Sequence, residues 1–548
     1  MKIVIIGAVA AGTSAAAKAR RNDEDAEIII FDKDVDISYS GCGLPYYIGN
    51  KVKDRSKIVP RNSDYFKKKY NVDVFTSHEV LNLDAAKKKL TVKNIETDEV
   101  FIEDFDKLVI ATGASAVVPN IIGIHKANVF NLRNVQSADR IKAFINKNNP
   151  KKVVIVGSGF IGLEMTENLK ELGIDVTVVE LAPQIMPAMD KDMAIYVENY
   201  LKEKEINIVL GDSVAVIEGE FPGAKVILSS GREIETDFVI MAVGIKPNIQ
   251  LAKAAGVEIG ETGAIKVNKK MQTNFDYIYA CGDCAESYSV VTGKSIYRPL
   301  GSTANKTGRI VGEALNGGNL EFRGILGTGI FKVFDMTIAS TGLSEKEAIK
   351  EGYEVAICHN TKPDKATYYG GEEMTIKAIA DKNTGKLLGV QIVGTNGVDK
   401  RIDVFVTAIT FGAGASDLFH LDLAYAPPFS TAKDPVMYTG MILDNVINKD
   451  RKLITPEKLD TLIKDDKNVI VIDTRIEKQY CDAHMEFAIN IPHAEIREKC
   501  NELDSEKIII TYCNKGITGN AVQNILINRG FKKVYNISGG YKNYSSQK

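Results

Sequence analysis

One cysteine stands in a setting that suits sulfur chemistry. Cys42 lies between Gly41 and Gly43, in a stretch of small residues and tyrosines over 38–49. The residues after it are typical of a short helix, whose N-terminal amides favour a thiolate. Five residues on stands Tyr47 rather than a second cysteine, so no intrachain dithiol forms there. Unless Cys42 is a buried packing residue, its thiolate must pair with an external sulfur or become a sulfenic acid.

A nucleotide-binding pattern precedes this cysteine. The apolar run 2–6 is typical of a buried parallel strand, and a Gly-rich turn and an alanine-rich helix follow it. Asp32 ends the next strand, at a spacing from Gly12 that allows its carboxylate to bind a ribose hydroxyl. Val9 stands where the fingerprint usually has its middle glycine. The predicted dinucleotide site comprises Gly7, Val9, Ala10, Ala11, Gly12, Asp32 and Lys33.

The same pattern recurs about 150 residues later, without a substitution. A strand over 153–156 leads into a complete Gly-rich turn, and the strand 176–179 ends at Glu180. Glycines allow the backbone to approach a pyrophosphate, and Glu180 would bind a ribose while repelling a 2′-phosphate. We therefore expect NADH rather than NADPH. The predicted site comprises Gly157, Gly159, Phe160, Ile161, Gly162, Glu180 and Gly244.

Two more strands complete the first nucleotide domain. The first is predicted over 105–113 and the second over 273–283. Asp283 is placed to bind the ribityl hydroxyls of a flavin, or to cap a helix. Cys281 and Cys284 form a C-x-x-C without a second pair at zinc spacing, so we interpret both as packing residues and expect no metal site. The flavin contacts predicted here are Ala111, Thr112, Gly113, Gly282 and Asp283.

The bulk composition limits the function classes. A chain of 548 residues is long enough for about three or four domains. Its net charge of −2 argues against a general nucleic-acid binder. Seven cysteines are too few for a disulfide framework and suit a reducing cytoplasm. No apolar stretch of about 18 residues supports a membrane span.

The chain resembles the single-cysteine branch of the flavin- and pyridine-nucleotide-dependent disulfide oxidoreductases, specifically coenzyme A-disulfide or NADH-dependent persulfide reductases that carry a C-terminal rhodanese domain. The resemblance rests on both nucleotide fingerprints, Ala-Thr-Gly at 111–113, Gly-Asp at 282–283, Ser38-x-x-x-Cys42 and the C-terminal module. It implies an α/β protein with two Rossmann-like domains, the NAD domain inserted in the FAD domain, an α+β dimerisation domain and an α/β rhodanese domain. The predicted boundaries are 1–112 and 244–321 for FAD, 113–243 for NAD, 322–446 for dimerisation, 447–454 for a linker and 455–548 for rhodanese.

The resemblance also assigns roles to residues. Cys42 would be the redox nucleophile, with FAD and NADH as cofactors and coenzyme A as the bound thiol or mixed disulfide. Gly41 stands where this group often has Asn, so one polar substrate contact is missing. The residues implied to bind coenzyme A are Ser14, Lys18, Arg21, Ser38, Cys42, Asn305 and Arg309. For Lys18 and Arg21, a favourable interaction with the end of their helix is an equally good explanation.

Two aromatic segments suggest an active site shared between subunits. Tyr425 matches a tyrosine that reaches the partner's cysteine, and a second such tyrosine is expected at Tyr368 or Tyr369. Their hydroxyls would protonate or stabilise a leaving thiolate. These matches imply a homodimer, whereas the alternative is that the tyrosines are ordinary interface aromatics.

The C-terminal module carries a second candidate nucleophile. Cys513 begins the loop 513–519 between a predicted strand and a helix, where converging amides hold a persulfide. Thr518 stands where the family commonly has an arginine, and Lys515 offers a partial replacement. The module is therefore either an active rhodanese or a degenerate structural one.

Three hypotheses follow. In the first, electrons pass from NADH through FAD to Cys42, which reduces coenzyme A disulfide, persulfide or polysulfide while Cys513 handles sulfane sulfur. In the second, the protein is an NADH oxidase or peroxidase that uses Cys42 as a sulfenic acid. The first Gly-rich turn lacks the histidine of related peroxidases, which disfavours the second. The third is a non-catalytic sulfur carrier or redox sensor, which two intact nucleotide sites disfavour.

Overall fold

The structure is a computed structural model that describes residues 1–465 and 468–548. The chain divides into two units. One comprises residues 1–183 and 206–327, and the other comprises residues 184–205 and 328–548.

A parallel five-stranded sheet forms the centre of the first unit, in the order β18-β7-β1-β2-β3. Its inner strands are continuous apolar runs because both faces of a parallel sheet are buried. All four strands predicted around the first nucleotide site are present, as β1, β2, β7 and β18. The strands are β1 (Lys2–Ile6), β2 (Glu27–Phe31), β3 (Asp73–Phe75), β7 (Lys107–Ile110) and β18 (Ile278–Ala280).

A second parallel sheet has the order β12-β11-β10-β16-β9 and carries the second Gly-rich turn. Its strands are β9 (Val129–Asn131), β10 (Lys152–Val156), β11 (Asp175–Glu180), β12 (Asn207–Leu210) and β16 (Phe238–Met241). Smaller antiparallel sheets are formed by β4 (His78–Asp84), β5 (Lys89–Asn94) and β6 (Val100–Asp104); by β13 (Val214–Glu218), β14 (Ala224–Leu228) and β15 (Glu233–Thr236); by β8 (Ala114–Ala116) and β17 (Ile245–Pro247); and by β19 (Ser287–Tyr288) and β20 (Ser295–Ile296).

Two helices of this unit cross at very short range. A Cβ added at Gly308 would lie 2.3 Å from the Ala11 carbonyl oxygen, and one at Gly312 would lie 2.5 Å from that of Ala15. Glycine is therefore what allows α9 to lie directly on α1. The helices are α1 (Val9–Asn22), α2 (Leu44–Ile48), α3 (Arg55–Ile58), α4 (Ser63–Tyr70), α5 (Val135–Asn148), α6 (Phe160–Glu171), α8 (Gln250–Ala254) and α9 (Gly301–Ala314).

The second unit contains an antiparallel five-stranded sheet in the order β21-β22-β25-β24-β23. We call the segment 328–448, which contains it, the interface domain. The sequence predicts five strands there, over 330–333, 337–340, 354–357, 375–380 and 388–393. All five are found, as β21 (Gly329–Val333), β22 (Met336–Gly342), β23 (Val355–Pro363), β24 (Glu373–Asp381) and β25 (Leu387–Gly394). The helices around it are α7 (Lys191–Glu203), α10 (Glu345–Lys350), α11 (Val398–Thr410) and α12 (Pro435–Asn448).

A parallel sheet in the order β26-β30-β29-β27-β28 forms the C-terminal domain of the second unit. Its strands are β26 (Leu453–Ile454), β27 (Val469–Asp473), β28 (Ala488–Asn490), β29 (Ile508–Tyr512) and β30 (Val534–Ile537). Its helices are α13 (Pro456–Asp465), α14 (Glu477–Asp482), α15 (Ile496–Lys499), α16 (Ile517–Asn528) and α17 (Gly540–Ser546). The predicted fold class is thereby confirmed.

Every helix of the described residues is too short or too polar to cross a bilayer. Within the same residues, no group of His, Cys, Asp and Glu side chains is arranged to hold a metal ion.

Candidate active site

The residues predicted to bind FAD meet at one edge of the first sheet. The Gly-rich turn follows β1, Asp32 follows β2, Ala111 follows β7 and Gly282 follows β18. These four strands are adjacent and parallel, so their carboxyl ends face the same crevice, where such sheets bind ligands.

The geometry of this crevice fits a dinucleotide. Asp32 accepts hydrogen bonds from the backbone N–H groups of Ala8 at 2.7 Å and Asp34 at 2.9 Å, which fixes its carboxylate beside the turn. A Cβ at Gly7 would lie 2.3 Å from the Ala111 carbonyl oxygen, so the turn is narrow because it lacks side chains. Lys33 is exposed. The amides at the start of α1 are placed to hold a pyrophosphate.

Asp283 follows β18 and faces a cation. Its carboxylate accepts a hydrogen bond from Arg133 at 2.8 Å, and its backbone carbonyl accepts one from the Tyr297 hydroxyl at 2.9 Å. Asp283 does not cap the 3₁₀ turn Gly282–Cys284 in which it lies, because the N-cap of that turn is Cys281 and no described side chain caps it. Cys281 and Cys284 on either side of it are fully buried, in agreement with packing roles.

The second crevice repeats this geometry. Glu180 accepts hydrogen bonds from the N–H and hydroxyl of Ser158, at 2.9 and 2.7 Å, and from Ala182 N at 2.9 Å. A Cβ at Gly162 would lie 2.1 Å from the Gly157 carbonyl oxygen. Gly244 follows β16, the neighbour of β10, with φ +102°. The predicted NAD-binding residues thus lie along one sheet edge.

Cys42 precedes α2, within a single turn of 3₁₀ helix over Gly41–Gly43. Its side chain is exposed, yet nearby protein atoms desolvate the sulfur and raise the pKa of the thiol. The carboxylates of Glu164 and Asp283 raise the pKa further, while the backbone amide of Cys42 lowers it. The sequence led us to expect a helix-stabilised thiolate. That expectation is wrong for the effect of these protein groups, because burial and the two carboxylates raise the pKa of Cys42 by more than the amide lowers it.

Glu164 is a site residue that sequence reasoning missed. It lies on α6, in the first turn beyond the second Gly-rich sequence. Burial and the neighbouring carboxylate of Glu167 raise the pKa of Glu164 to about 7, and a hydrogen bond from Tyr46 partly opposes them. No local signal marks this residue, because the fold rather than the chain brings α6 beside Cys42.

A cavity of about 450 Å³ opens beside α1 and α9. Six of the seven residues predicted to bind coenzyme A line it, and Cys42 follows four residues after one of them, Ser38. The structure adds Arg61, Phe66 and Tyr70 from the segment 61–70, which has no motif that would have revealed them. The predicted residues that line the cavity are Ser14, Lys18, Arg21, Ser38, Asn305 and Arg309.

The crossing of α1 and α9 shapes this cavity. Ser14 on α1 donates a hydrogen bond to Asn305 on α9 at 2.8 Å. Lys18 pairs with Glu313 of α9 at 2.6 Å, whereas the Arg21 guanidinium lies over the Tyr70 ring at 5.7 Å. With Arg61 and Arg309, four cations line the cavity and one of them already has a carboxylate partner.

The tyrosines lie together on the second unit. Tyr368 and Tyr369 belong to a 3₁₀ turn, and the neighbouring Ala366 N donates to the Pro427 carbonyl at 3.4 Å, beside Tyr425. Tyr368 is 79 % exposed and Tyr425 55 % exposed. Both aromatic segments therefore form one exposed surface.

Cys513 lies between β29 and α16, and its side chain is buried. Gly516 opens the helix with φ +87°, a conformation that glycine adopts freely. Thr518 is exposed in the first turn of the helix. Lys515, the expected replacement for the missing arginine, forms an ion pair with Glu373 of β24 instead.

Three family models match successive segments of the chain. Residues 1–299 match the pyridine nucleotide-disulphide oxidoreductase model, residues 329–435 match the dimerisation domain of that family, and residues 455–547 match the rhodanese-like domain.

Individual relatives agree with these matches. A CoA-dependent NAD(P)H sulfur oxidoreductase of Pyrococcus furiosus is 39% identical over 81% of this chain and 99% of its own. The reduced CoADR-RHD of Bacillus anthracis has a TM-score of 0.96 at 39% identity, covering 100% of this chain and 98% of that one. A NAD-dependent persulfide reductase from A. fulgidus has a TM-score of 0.92 at 38% identity, covering 99% and 100%. The chain therefore belongs to the pyridine nucleotide-disulphide oxidoreductase family and ends in a rhodanese-like domain.

Proposed function

We propose that this chain is an NADH- and FAD-dependent reductase of coenzyme A disulfide, coenzyme A persulfide or polysulfide, with Cys42 as its redox sulfur. The observation that carries the proposal is the position of Cys42. It is a lone, exposed cysteine next to the predicted flavin crevice, four residues beyond a cavity lined by four cations. Relatives that act on sulfur with coenzyme A support the same substrate class.

The cavity suits coenzyme A because it combines cations with aromatic rings. Lys18, Arg21, Arg61 and Arg309 present positive charge to phosphate groups, and Tyr70 and Phe66 offer apolar faces. In this proposal the nucleotide end of coenzyme A occupies the cavity and its sulfur reaches Cys42 past Ser38. Asn305 and Ser14, already hydrogen-bonded to each other, line the wall between the two helices.

The chain's own sulfur chemistry then needs two steps. The Cys42 thiolate attacks a coenzyme A disulfide, the S–S bond breaks, and one coenzyme A leaves as a thiolate with the bonding electron pair. When bound, the nicotinamide and flavin cofactors supply the two electrons for the second step. The Cys42–coenzyme A disulfide accepts this pair and one proton, which releases coenzyme A thiol and restores the Cys42 thiolate. With a persulfide, the leaving group in the first step is hydrosulfide.

Glu180 supports NADH as the preferred donor. Its carboxylate is fixed by three hydrogen bonds at the end of β11, where a 2′-phosphate would meet like charge. We expect kcat/KM to be at least about tenfold higher with NADH than with NADPH, which corresponds to about 1.4 kcal/mol. Steady-state kinetics with both cofactors test this, with Asp175→Asn at the exposed start of the same strand as control. A preference for NADPH would contradict it.

The proposed enzyme is a cytoplasmic homodimer with a shared site. Residues 329–435 match a dimerisation domain, and the exposed surface with Tyr368, Tyr369 and Tyr425 belongs to it. In the proposal Tyr425, with Tyr368 or Tyr369, stabilises the thiolate that leaves Cys42 of the other subunit. The low cysteine content supports a reducing compartment.

Substrate-dependent NADH consumption tests the function. Wild-type enzyme, Cys42→Ser and Cys481→Ser are each given coenzyme A disulfide, coenzyme A persulfide, a polysulfide or hydrogen peroxide without oxygen. Cys481 is the matched control because it is also free and exposed. We expect sulfur substrates to drive turnover that only Cys42→Ser abolishes. Full activity of Cys42→Ser, or turnover with peroxide alone, would support the peroxidase alternative instead.

A further inference from the structure

A buried arginine of the interface domain lies at the base of the two segments that carry the candidate active-site tyrosines. We call these segments, 364–372 and 425–430, the tyrosine segments. Arg401 of α11 is 1 % exposed, and its partner Asp434, which precedes α12, is 2 % exposed. The Arg401 Nη2 atom lies 2.8 Å from the Asp434 Oδ2 atom. Both charges lose their hydration when buried, so such a pair is weak evidence for a purely stabilising role. The other groups that Arg401 binds indicate its role better.

Arg401 holds the first tyrosine segment by its backbone. Its Nη2 atom donates a hydrogen bond to the Asp364 carbonyl at 2.7 Å. Asp364 closes the loop that contains Tyr368 and Tyr369. The N–H of Asp364 donates to the Glu372 carbonyl at 2.8 Å, and its carboxylate accepts from the Glu372 N–H at 2.7 Å. Arg401 thus binds the residue from which this loop begins.

The same nitrogen reaches the second tyrosine segment. Arg401 Nη2 donates to the Ser430 hydroxyl at 3.1 Å, and this hydroxyl donates to the Asp434 carboxylate at 2.7 Å. Ser430 is fully buried. Its N–H donates to the Ala426 carbonyl at 3.1 Å, in the turn that follows Tyr425. One guanidinium group therefore binds both tyrosine segments.

We propose that Arg401 is a positioning residue that fixes the two tyrosine segments relative to one another, for reaction at Cys42 of the partner subunit. Its side chain is buried, so it acts through Asp364 and Ser430 on the tyrosine hydroxyls. A displaced hydroxyl stabilises a leaving thiolate less well, so loss of Arg401 should lower kcat more than it raises KM. This inference rests on the shared active site proposed above.

Hydrogen–deuterium exchange of the full-length holoenzyme tests the anchoring independently of activity. Arg401→Lys keeps the charge but lacks the planar guanidinium, and Ser430→Ala removes only the hydroxyl. Asp403→Asn, at an exposed position of the same helix, is the control. We expect Arg401→Lys to exchange on the order of tenfold faster in both tyrosine segments, the effect of losing about one hydrogen bond. Ser430→Ala should do so only in 425–430, and the control in neither. Unchanged exchange of both segments in Arg401→Lys would overturn the proposal.

Tagged heterodimers distinguish positioning from a merely structural role. In the trans heterodimer, one chain carries Cys42→Ser and the other carries Arg401→Lys. In the cis heterodimer, one chain carries both changes and the other is wild type. Only the trans heterodimer joins an intact Cys42 to tyrosine segments held by an intact Arg401. We expect the Arg401→Lys homodimer to lose on the order of tenfold in kcat. The trans heterodimer should regain about half of wild-type activity, because half of its sites are intact. The cis heterodimer should show no more activity than the Arg401→Lys homodimer.

A structural defect confined to the altered chain would give the opposite order, because the wild-type chain of the cis heterodimer would keep its site. That order, or equal activities, would overturn the proposal. Both heterodimers are also made with Ser430→Ala, which leaves the Arg401–Asp434 pair intact, so the test does not depend on the folding of Arg401→Lys.

Two further measurements separate this inference from the proposed function. Heterodimers with Tyr425→Phe in place of Arg401→Lys show whether the tyrosine itself acts across the interface. Absence of coenzyme A disulfide turnover in wild-type enzyme would count against the proposed function, while the exchange rates still decide whether Arg401 holds the tyrosine segments.

Discussion

At the scale of single residues, the electrostatics of Cys42 decide how the site responds to pH. Burial, Glu164 and Asp283 raise the pKa of the thiol, so the reactive thiolate becomes more abundant as pH rises. Glu164 itself ionises near pH 7. Its opposition to the thiolate is therefore strong above that pH and weak below it.

Replacing Glu164 separates this effect from others. At pH 8 we expect Cys42 to be alkylated about threefold faster in Glu164→Gln than in wild type, because the negative charge that disfavours the Cys42 thiolate is gone. At pH 6 the two should be alike, since Glu164 is then largely protonated in wild type. The rate is followed on the tryptic peptide 34–51 after reduction of the holoenzyme.

Glu171→Gln is the control for this measurement because Glu171 lies on the same helix and faces Lys51. A pH-independent ratio between Glu164→Gln and wild type would contradict the assigned role.

Sequence reasoning succeeded at this scale where chemistry is local. Each Gly-rich turn and the acidic residue of its βαβ unit lie within about 25 residues of each other in the sequence. The acidic residue is Asp32 in the first unit and Glu180 in the second. Glu164 and Arg61 escaped prediction because tertiary packing brings them to Cys42 and to the cavity. The predicted direction of the Cys42 pKa shift was wrong for the same reason, since Glu164 and Asp283 are brought to Cys42 by tertiary packing.

At the scale of elements, the crossing of α1 and α9 determines the shape of the cavity proposed to bind coenzyme A. Gly308 and Gly312 have no room for a side chain against α1. The helices hold Ser14 and Lys18 opposite Asn305 and Glu313. A substitution that moves the two helices apart should therefore weaken the binding of coenzyme A disulfide as well as lower the stability of the fold.

Gly308→Ala tests this relation. The added methyl group would force the helices apart, which typically costs about 1–3 kcal/mol, and should raise the KM for coenzyme A disulfide. Gly301→Ala, on the same helix, is the control, since a Cβ at Gly301 would have no atom within 4 Å. Thermal unfolding and steady-state kinetics measure both effects. Equal behaviour of the two variants would contradict the account.

The extent of strands was less predictable than their existence. β23 was expected over 354–357 but runs from Val355 to Pro363. Its second half is polar yet buried, because Asn360 donates to the Pro435 carbonyl at 3.0 Å and Thr361 shares a hydrogen bond with Thr375. Hydrophobic alternation cannot reveal a strand whose buried polar groups are paired across the fold.

At the scale of the whole molecule, the domain order and the family were predictable from the sequence, and both are confirmed. The bounds of the six predicted segments remain a prediction. So does the shared active site, because it depends on a second copy of the chain that the sequence alone does not position. The exposed tyrosines allow an experiment on whether a second subunit contributes to the site.

Subunit mixing tests the shared site. Cys42→Ser and Tyr425→Phe chains are each expected to be impaired as homodimers. A heterodimer of the two has one site in which intact Cys42 and intact Tyr425 meet across the interface. Co-purified heterodimers carrying different affinity tags should therefore regain about half of the activity of a wild-type dimer if half of the sites are intact. If Tyr425 served the Cys42 of its own chain, mixing would restore nothing.

The central claim is that Cys42 receives the coenzyme A sulfur, and the most direct measurement is the mass of its peptide during turnover. Oxidised holoenzyme is reduced, freed of reductant and mixed with one equivalent of coenzyme A disulfide, then quenched in acid and digested. The account predicts a coenzyme A adduct on peptide 34–51 that disappears when NADH is added before the quench. An unmodified Cys42 peptide in enzyme that still consumes NADH with coenzyme A disulfide would contradict it.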